Sequence, residues 1–156
     1  MNEVAVSILS EVECHLGEGP SYDPLTDTLF WFDIVGRRLL EKRWPDGGTI
    51  VHDLPLMASA AAAVDAGRQA LVTETGIHLR ERAGGALSLL QPIEADDDAT
   101  RSNDARVHPA GAFWIGTMGK RAEKEAGAIY WYRRGELRLL YPGISIPNSI
   151  CFSPDG

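Results

Sequence analysis

A chain of 156 residues, 44% apolar and 24% charged, is long enough for one domain with a core and short for two. Its net charge of −7, with acids interleaved among the 15 Lys and Arg, excludes the basic surface that a nucleic acid or an anionic membrane requires, and leaves a small molecule as the expected partner. Four Trp, four Tyr and four Phe, with 16 Gly and nine Pro spread along the chain, suit many short strands joined by turns.

At the start, Met1 to Ser10 shows neither a basic segment nor a long apolar one, and no run of 18 apolar residues follows anywhere. No signal peptide or membrane span is expected, and a cytoplasmic setting is the default. Cys14 and Cys151 fall outside any CxxC spacing and are too few for a disulfide framework, so both are expected as buried free thiols.

The next segments share one grammar. Glu18-Gly-Pro-Ser-Tyr-Asp-Pro, Ala60-Ala-Ala-Ala-Val-Asp-Ala-Gly, Asn103-Asp-Ala-Arg-Val-His-Pro-Ala-Gly and Asn148-Ser-Ile-Cys-Phe-Ser-Pro-Asp-Gly begin 42, 43 and 45 residues apart. That period is the length of one four-stranded propeller blade, although helical repeats share it. The residues after each turn decide between them: Leu29-Phe-Trp-Phe, Ala70-Leu-Val-Thr and Phe113-Trp-Ile-Gly are aromatic and β-branched runs of strand length. Ile77-His-Leu-Arg, Leu87-Ser-Leu-Leu, Ala128-Ile-Tyr-Trp-Tyr and Leu137-Arg-Leu-Leu supply further strands between turns at Gly84-Gly85 and Arg134-Gly135. Met57 to Val64 is rich in the best helix former, yet the repeat places it on a strand of small side chains.

The expected fold is therefore all-β, with three four-stranded blades of a propeller and the first strand of a fourth, ending in the turn Ser153-Pro-Asp-Gly156. The whole of 1–156 is one propeller region on this reading. Blades bury their faces against neighbours, so the end blades of such an arc predict self-association through exposed faces.

Glu18, Ala60, Asn103 and Asn148 each stand five residues before the turn residue, in one phase of the first strand, which a propeller places around its central channel. Three of the four carry oxygen donors, a partial shell for calcium or zinc formed by Glu18 and Asn148. Gly17 and Gly19 clear space beside Glu18, and Arg101 shares a strand face with Asn103, where a guanidinium could hold an oxygen-rich substrate. Other candidates are weaker. The run Glu94-Ala-Asp-Asp-Asp lacks the alternation of a calcium loop and reads as solvated, Glu74 reads as an exposed strand carboxylate, His108 takes the turn position of Asp23 and Asp65, and no serine lies in a G-x-S-x-G elbow.

Leu16-Gly-Glu-Gly-Pro-Ser-Tyr-Asp-Pro, Leu29-Phe-Trp-Phe-Asp-Ile, Arg101-Ser-Asn-Asp-Ala-Arg-Val-His-Pro, Gly116-Thr-Met-Gly, Gly127-Ala-Ile-Tyr and Ile146-Pro-Asn-Ser-Ile-Cys-Phe-Ser-Pro-Asp-Gly together resemble the SMP-30/gluconolactonase/LRE-like family. The resemblance implies a six-bladed propeller of about twice this length that hydrolyses sugar lactones with a divalent metal in the channel. It implies Glu18 and Asn148 as metal ligands and Arg101 and Asn103 as substrate contacts. The catalytic base it implies, an Asp, has no match here. Where some relatives carry an acidic residue after Gly116-Thr-Met-Gly, this chain has Lys120 and Arg121, read as solvated loop charges before any preference for an acidic lactone. Two functions stand: a metal-dependent sugar lactonase, and a non-catalytic metal- or ligand-binding propeller fragment.

Overall fold

The computed structural model describes residues 5–155, so that Met1 to Val4 of the N-terminal segment and Gly156 of the last turn lie outside the described residues. The first repeat folds as β1 (Gly17–Asp23), β2 (Thr28–Asp33), β3 (Arg38–Arg43) and β4 (Thr49–Asp53); the second as β5 (Ala58–Ala63), β6 (Arg68–Thr73), β7 (Gly76–Glu81) and β8 (Leu87–Pro92). The third gives β9 (Thr100–Val107), β10 (Phe113–Gly119), β11 (Gly127–Arg133) and β12 (Glu136–Ile144). Each set of four pairs antiparallel in chain order, giving three separate sheets that stand as blades. Residues 58–63 form a strand, as the repeat requires and against their helix propensity, and no described residue is helical.

The turn after each first strand repeats one device. Asp23 Oδ1 accepts the N–H of Leu25, Asp65 Oδ1 that of Gly67, and His108 Nδ1 that of Ala110, each two residues on. The expected turn role of His108 is thus realised.

The core lies between blades. Phe30, Phe32 and Ile34 alternate inward from the first blade and meet Leu39, Leu54, Ala58 and Leu71; Ala60, Val72 and Ile77 of the second blade meet Phe113 and Ile115 of the third. At about 1.5–3 kcal/mol for each large side chain fully buried, these two layers are the main force holding the blades in a row. Buried Asp33 ties the first layer to the channel strand: it accepts the N–H of Leu16 (3.0 Å) and of Gly36 (3.1 Å), and pairs with Arg38 at 2.6 Å. Burial alone would raise its pKa, but the N–H of Leu16 and the Arg38 guanidinium overcome that and hold the carboxyl well below the usual range.

The expected first strand of a fourth blade does not form: residues 146–152 are irregular. A strand needs a ladder partner, and here the segment is held by side chains of the third blade instead. Asn103 Nδ2 donates to the carbonyl of Pro147 (3.0 Å), Asp104 Oδ2 accepts the N–H of Ile150 (2.8 Å), and Phe152 packs edge-on against His108 and Trp114. Both cysteines are free, but only half-buried in the case of Cys14 and exposed in that of Cys151, because the irregular segment leaves the latter no apolar layer to enter.

Candidate functional site

The inner strands β1, β5 and β9 lie side by side, with β5 in the middle. Gly19 makes that approach feasible: a Cβ there would stand 2.0 Å from the Ser59 carbonyl oxygen, and its φ of +61° belongs to the left-handed region. Across the other seam Ser59 Oγ bonds Ser102 Oγ at 2.7 Å, both fully buried. Sequence reasoning set these serines aside as nucleophiles, and they prove to be the tie between two blades.

A cleft of about 480 Å³ runs along the three strands and is lined by Glu18, Ala60, Asp104, Asn148 and their neighbours. The Glu18 carboxylate forms no hydrogen bond or ion pair with the described residues. Asn148, exposed in the same cleft, is aimed by its context: Gly116 leaves the space that Pro147 fills, since a Cβ on Gly116 would lie 2.6 Å from Pro147 Cγ, and the Asn103 amide fixes the Pro147 carbonyl. Its own Oδ1 accepts the N–H of Ser149 at 2.9 Å.

Arg101 and Asn103 come together as the sequence predicts. Arg101 Nη1 donates to Asn103 Oδ1 (3.0 Å) and to the Ser102 carbonyl (2.8 Å), and the residue is buried, 7% exposed. Burial lowers the Arg101 pKa, and the Glu18 carboxylate opposes that shift. Neither Arg101 nor Asn103 lines the cleft; the irregular pairing between Ser102 and Ala105 turns Asn103 toward Pro147, and the next residue, Asp104, takes its place. The four residues of shared phase are therefore not fully equivalent.

Three outlying charges differ from expectation. Glu74 is buried, its side chain 9% exposed, and bonds the Nζ of half-buried Lys120 at 2.7 Å, so Glu74 is not an exposed carboxylate and Lys120 is not a free loop charge. Arg121 is a solvated residue paired with Glu123. Glu94 accepts the hydroxyls of Thr117 and Tyr130, both at 2.9 Å, whereas Asp96, Asp97 and Asp98 are exposed as expected.

Could the cleft take a divalent cation? A carboxylate free of protein partners and a carboxamide in one polar cleft are hard oxygen donors of the type calcium prefers, although six to eight oxygens complete its shell. Among the described residues no group of three or more His, Cys, Asp or Glu is placed to hold a metal. The residues present thus fit a part of a shell. No helix among the described residues is long and apolar enough to cross a membrane.

Three four-stranded blades in a row, with their first strands side by side, define a segment of a β-propeller. Residues 16–156 match the SMP-30/Gluconolactonase/LRE-like region, and the chain belongs to that family. It is 46% identical over 148 residues to “Putative sugar lactone lactonase” of Rhizobium meliloti (strain 1021), covering 95% of this chain and 50% of that protein. Identity to L-arabinolactonase of Azospirillum brasilense is 31% over 156 residues, covering 96% and 51%. The crystal structure of a calcium-binding protein, regucalcin, from Agrobacterium tumefaciens str. C58 superposes with a TM-score of 0.93 at 48% identity, over 96% of this chain and 50% of that one. The chain spans about half the length of the relatives it matches.

Proposed function

We propose that Glu18, Asn148, Arg101 and Asn103 belong to a metal-dependent site that hydrolyses a sugar lactone. The observation that carries this reading is the Glu18 carboxylate, without a partner among the described residues and facing the same cleft as Asn148. The names of the relatives, a sugar lactone lactonase and an L-arabinolactonase, support the substrate class.

Calcium or zinc, when bound, supplies Lewis-acid polarisation of the lactone carbonyl. Glu18 and Asn148 would supply two oxygens of its shell. Arg101 donates to ring hydroxyls or to the carbonyl side of the lactone, and its bond to Asn103 Oδ1 fixes the guanidinium so that little freedom is lost on binding. Asn103 also holds the Pro147 carbonyl, so substrate-side and metal-side residues are set by one amide. The general base is expected to be the Asp that the family resemblance implies.

The test is the rate of δ-gluconolactone hydrolysis by the intact protein, with added metal and with chelator. A rate that chelator removes and that Glu18→Ala lowers at least about 10²-fold is expected; a rate indifferent to both would overturn the reading. The similarity to regucalcin, a calcium-binding protein, favours a second reading, metal binding without catalysis. Calcium binding by calorimetry with no turnover would select it. Self-association rests on exposed apolar side chains such as Leu139 and Tyr141 on β12, and light scattering of a strictly monomeric protein would count against it.

A further inference from the structure

Away from the channel strands, a second cleft of about 390 Å³ opens between the first two blades, walled by His52, Asp53 and Leu54 at the end of β4 and by Arg80, Arg82 and Gly84-Gly85 of the β7–β8 hairpin. Arg80 is 2% exposed, the largest fully buried side chain described. Burying a guanidinium is costly unless its charge and its N–H groups are matched. The match here is incomplete. Nη1 donates to the neutral amide of Gln69 at 2.9 Å, and buried Nε has no partner among the described residues.

The surrounding charges leave this deficit in place. Asp23 is engaged by the terminal nitrogen of Arg82, by the Leu25 N–H and by the Thr26 hydroxyl, and Arg82 Nε is itself buried without a partner. Glu41 stands 3.0 Å from the His52 ring and acts on Arg80 through its field, without a hydrogen bond. Asp53 is exposed and acts on Arg38. Opposite, Gly84 and Gly85 present backbone alone, and an added Cβ on Gly84 would meet nothing within 4 Å.

We propose that this interblade cleft binds a small oxyanion, a carboxylate or a phosphate, on the guanidinium of Arg80. A planar fork whose Nη2 stands beside Gly85 of the cleft wall, 3.9 Å from where a Cβ would lie, with no hydrogen bond to the described residues, is the group that recognises such oxyanions. Arg82 adds positive charge from the side, and the glycines admit the ligand.

Arg80→Met removes core volume along with charge, so the decisive variant is Gly84→Asp, which puts a carboxylate at the cleft wall from a position with room for a side chain and without a positive φ. Melting temperatures of the intact protein are measured with inorganic phosphate and, separately, acetate, each against chloride at equal ionic strength. Phosphate, acetate or both should raise the melting temperature by about 3 °C over chloride, and the arm that does so identifies the anion. Gly84→Asp should melt at least as high as the parent in chloride and lose the anion response. In parallel, the Nε–H resonance of Arg80 should move on titration with the effective anion. No shift beyond that of chloride in either arm, an equal shift in Gly84→Asp, or a stationary Arg80 resonance would overturn the proposal.

Discussion

Replacing Gly116 by Ala tests whether the route from the third blade to Asn148 is what sets the proposed metal shell. The added Cβ would begin 2.6 Å from Pro147 Cγ and 2.8 Å from its Cβ, while ordinary contact starts at 3.4 Å, so Pro147 must retreat by about 0.8 Å. The ring is rigid and its carbonyl is tied to Asn103, so the displacement passes to Asn148 rather than into a side-chain rotamer. Calcium–oxygen distances span only about 2.3–2.6 Å, which makes a shift of that size enough to detach one ligand. A loss of about 10- to 100-fold in metal affinity is expected, the range found when groups supporting a ligand are altered. Overpacking should cost about 1–3 kcal/mol of stability. Calorimetric titration with calcium and with zinc, beside a melting curve, separates the two effects. An affinity within twofold of the parent, in a variant whose structure shows Pro147 displaced, would refute the placement of Asn148 in the shell.

Three further substitutions address the frame. Gly19→Ala combines a 2.0 Å clash with the Ser59 carbonyl and a left-handed φ, and should cost about 3 kcal/mol or more, a fall of about 6–12 °C in melting temperature; a fall under about 2 °C would mean that β1 and β5 do not meet as described. Asp33→Asn should cost about 2–4 kcal/mol at neutral pH by weakening the Arg38 pair. Because the folded carboxyl titrates well below its unfolded value of 3.8, its contribution is present above that value and is lost progressively as pH falls, so urea midpoints of parent and variant should draw together as pH falls below about 4. Lys120→Met should raise the Glu74 pKa, which desolvation already pushes upward and the Lys120 ammonium brings down, and should destabilise by about 1–3 kcal/mol near neutrality and less below about pH 4. Relative rates on acidic and neutral lactones should be unchanged by it, since the ammonium is engaged by Glu74.

Much of the fold was legible because a blade is a local object. Its strands are neighbours in sequence, its turns are fixed by side chains bonding two residues on, and the period repeats; Asp23, Asp65 and His108 show that even the turn chemistry could be read across different residue types. What joins blades was not legible. Glu74 meets Lys120 and Ser59 meets Ser102 across 46 and 43 residues, and Glu94 finds Tyr130 36 residues on. No spacing rule marks such pairs, so each carboxylate looked solvated until the packing of one blade on the next placed it. The irregular segment at 146–152 was missed for a related reason: its apolar residues have strand character, but pairing is a property of the partner as much as of the segment.

The same distinction explains why repeat phase pointed to one level of the inner strands but not to which side chains line the cleft there. Ladder irregularities fall at that level in all three inner strands, between Glu18 and Ser21, Ala58 and Ala60, and Ser102 and Ala105. An irregular pairing lets adjacent residues share a position and re-aims their side chains. In the first blade it leaves Glu18 on the cleft, with Gly19 against Ser59; in the second, Ala60 keeps the cleft open; in the third, Asp104 lines it and Asn103 bends to hold Pro147. One backbone device, used three times, thus gives a carboxylate, an empty place and a positioning amide. The chemistry of the cleft follows from which residue each blade puts there, and its precision follows from the seams between blades.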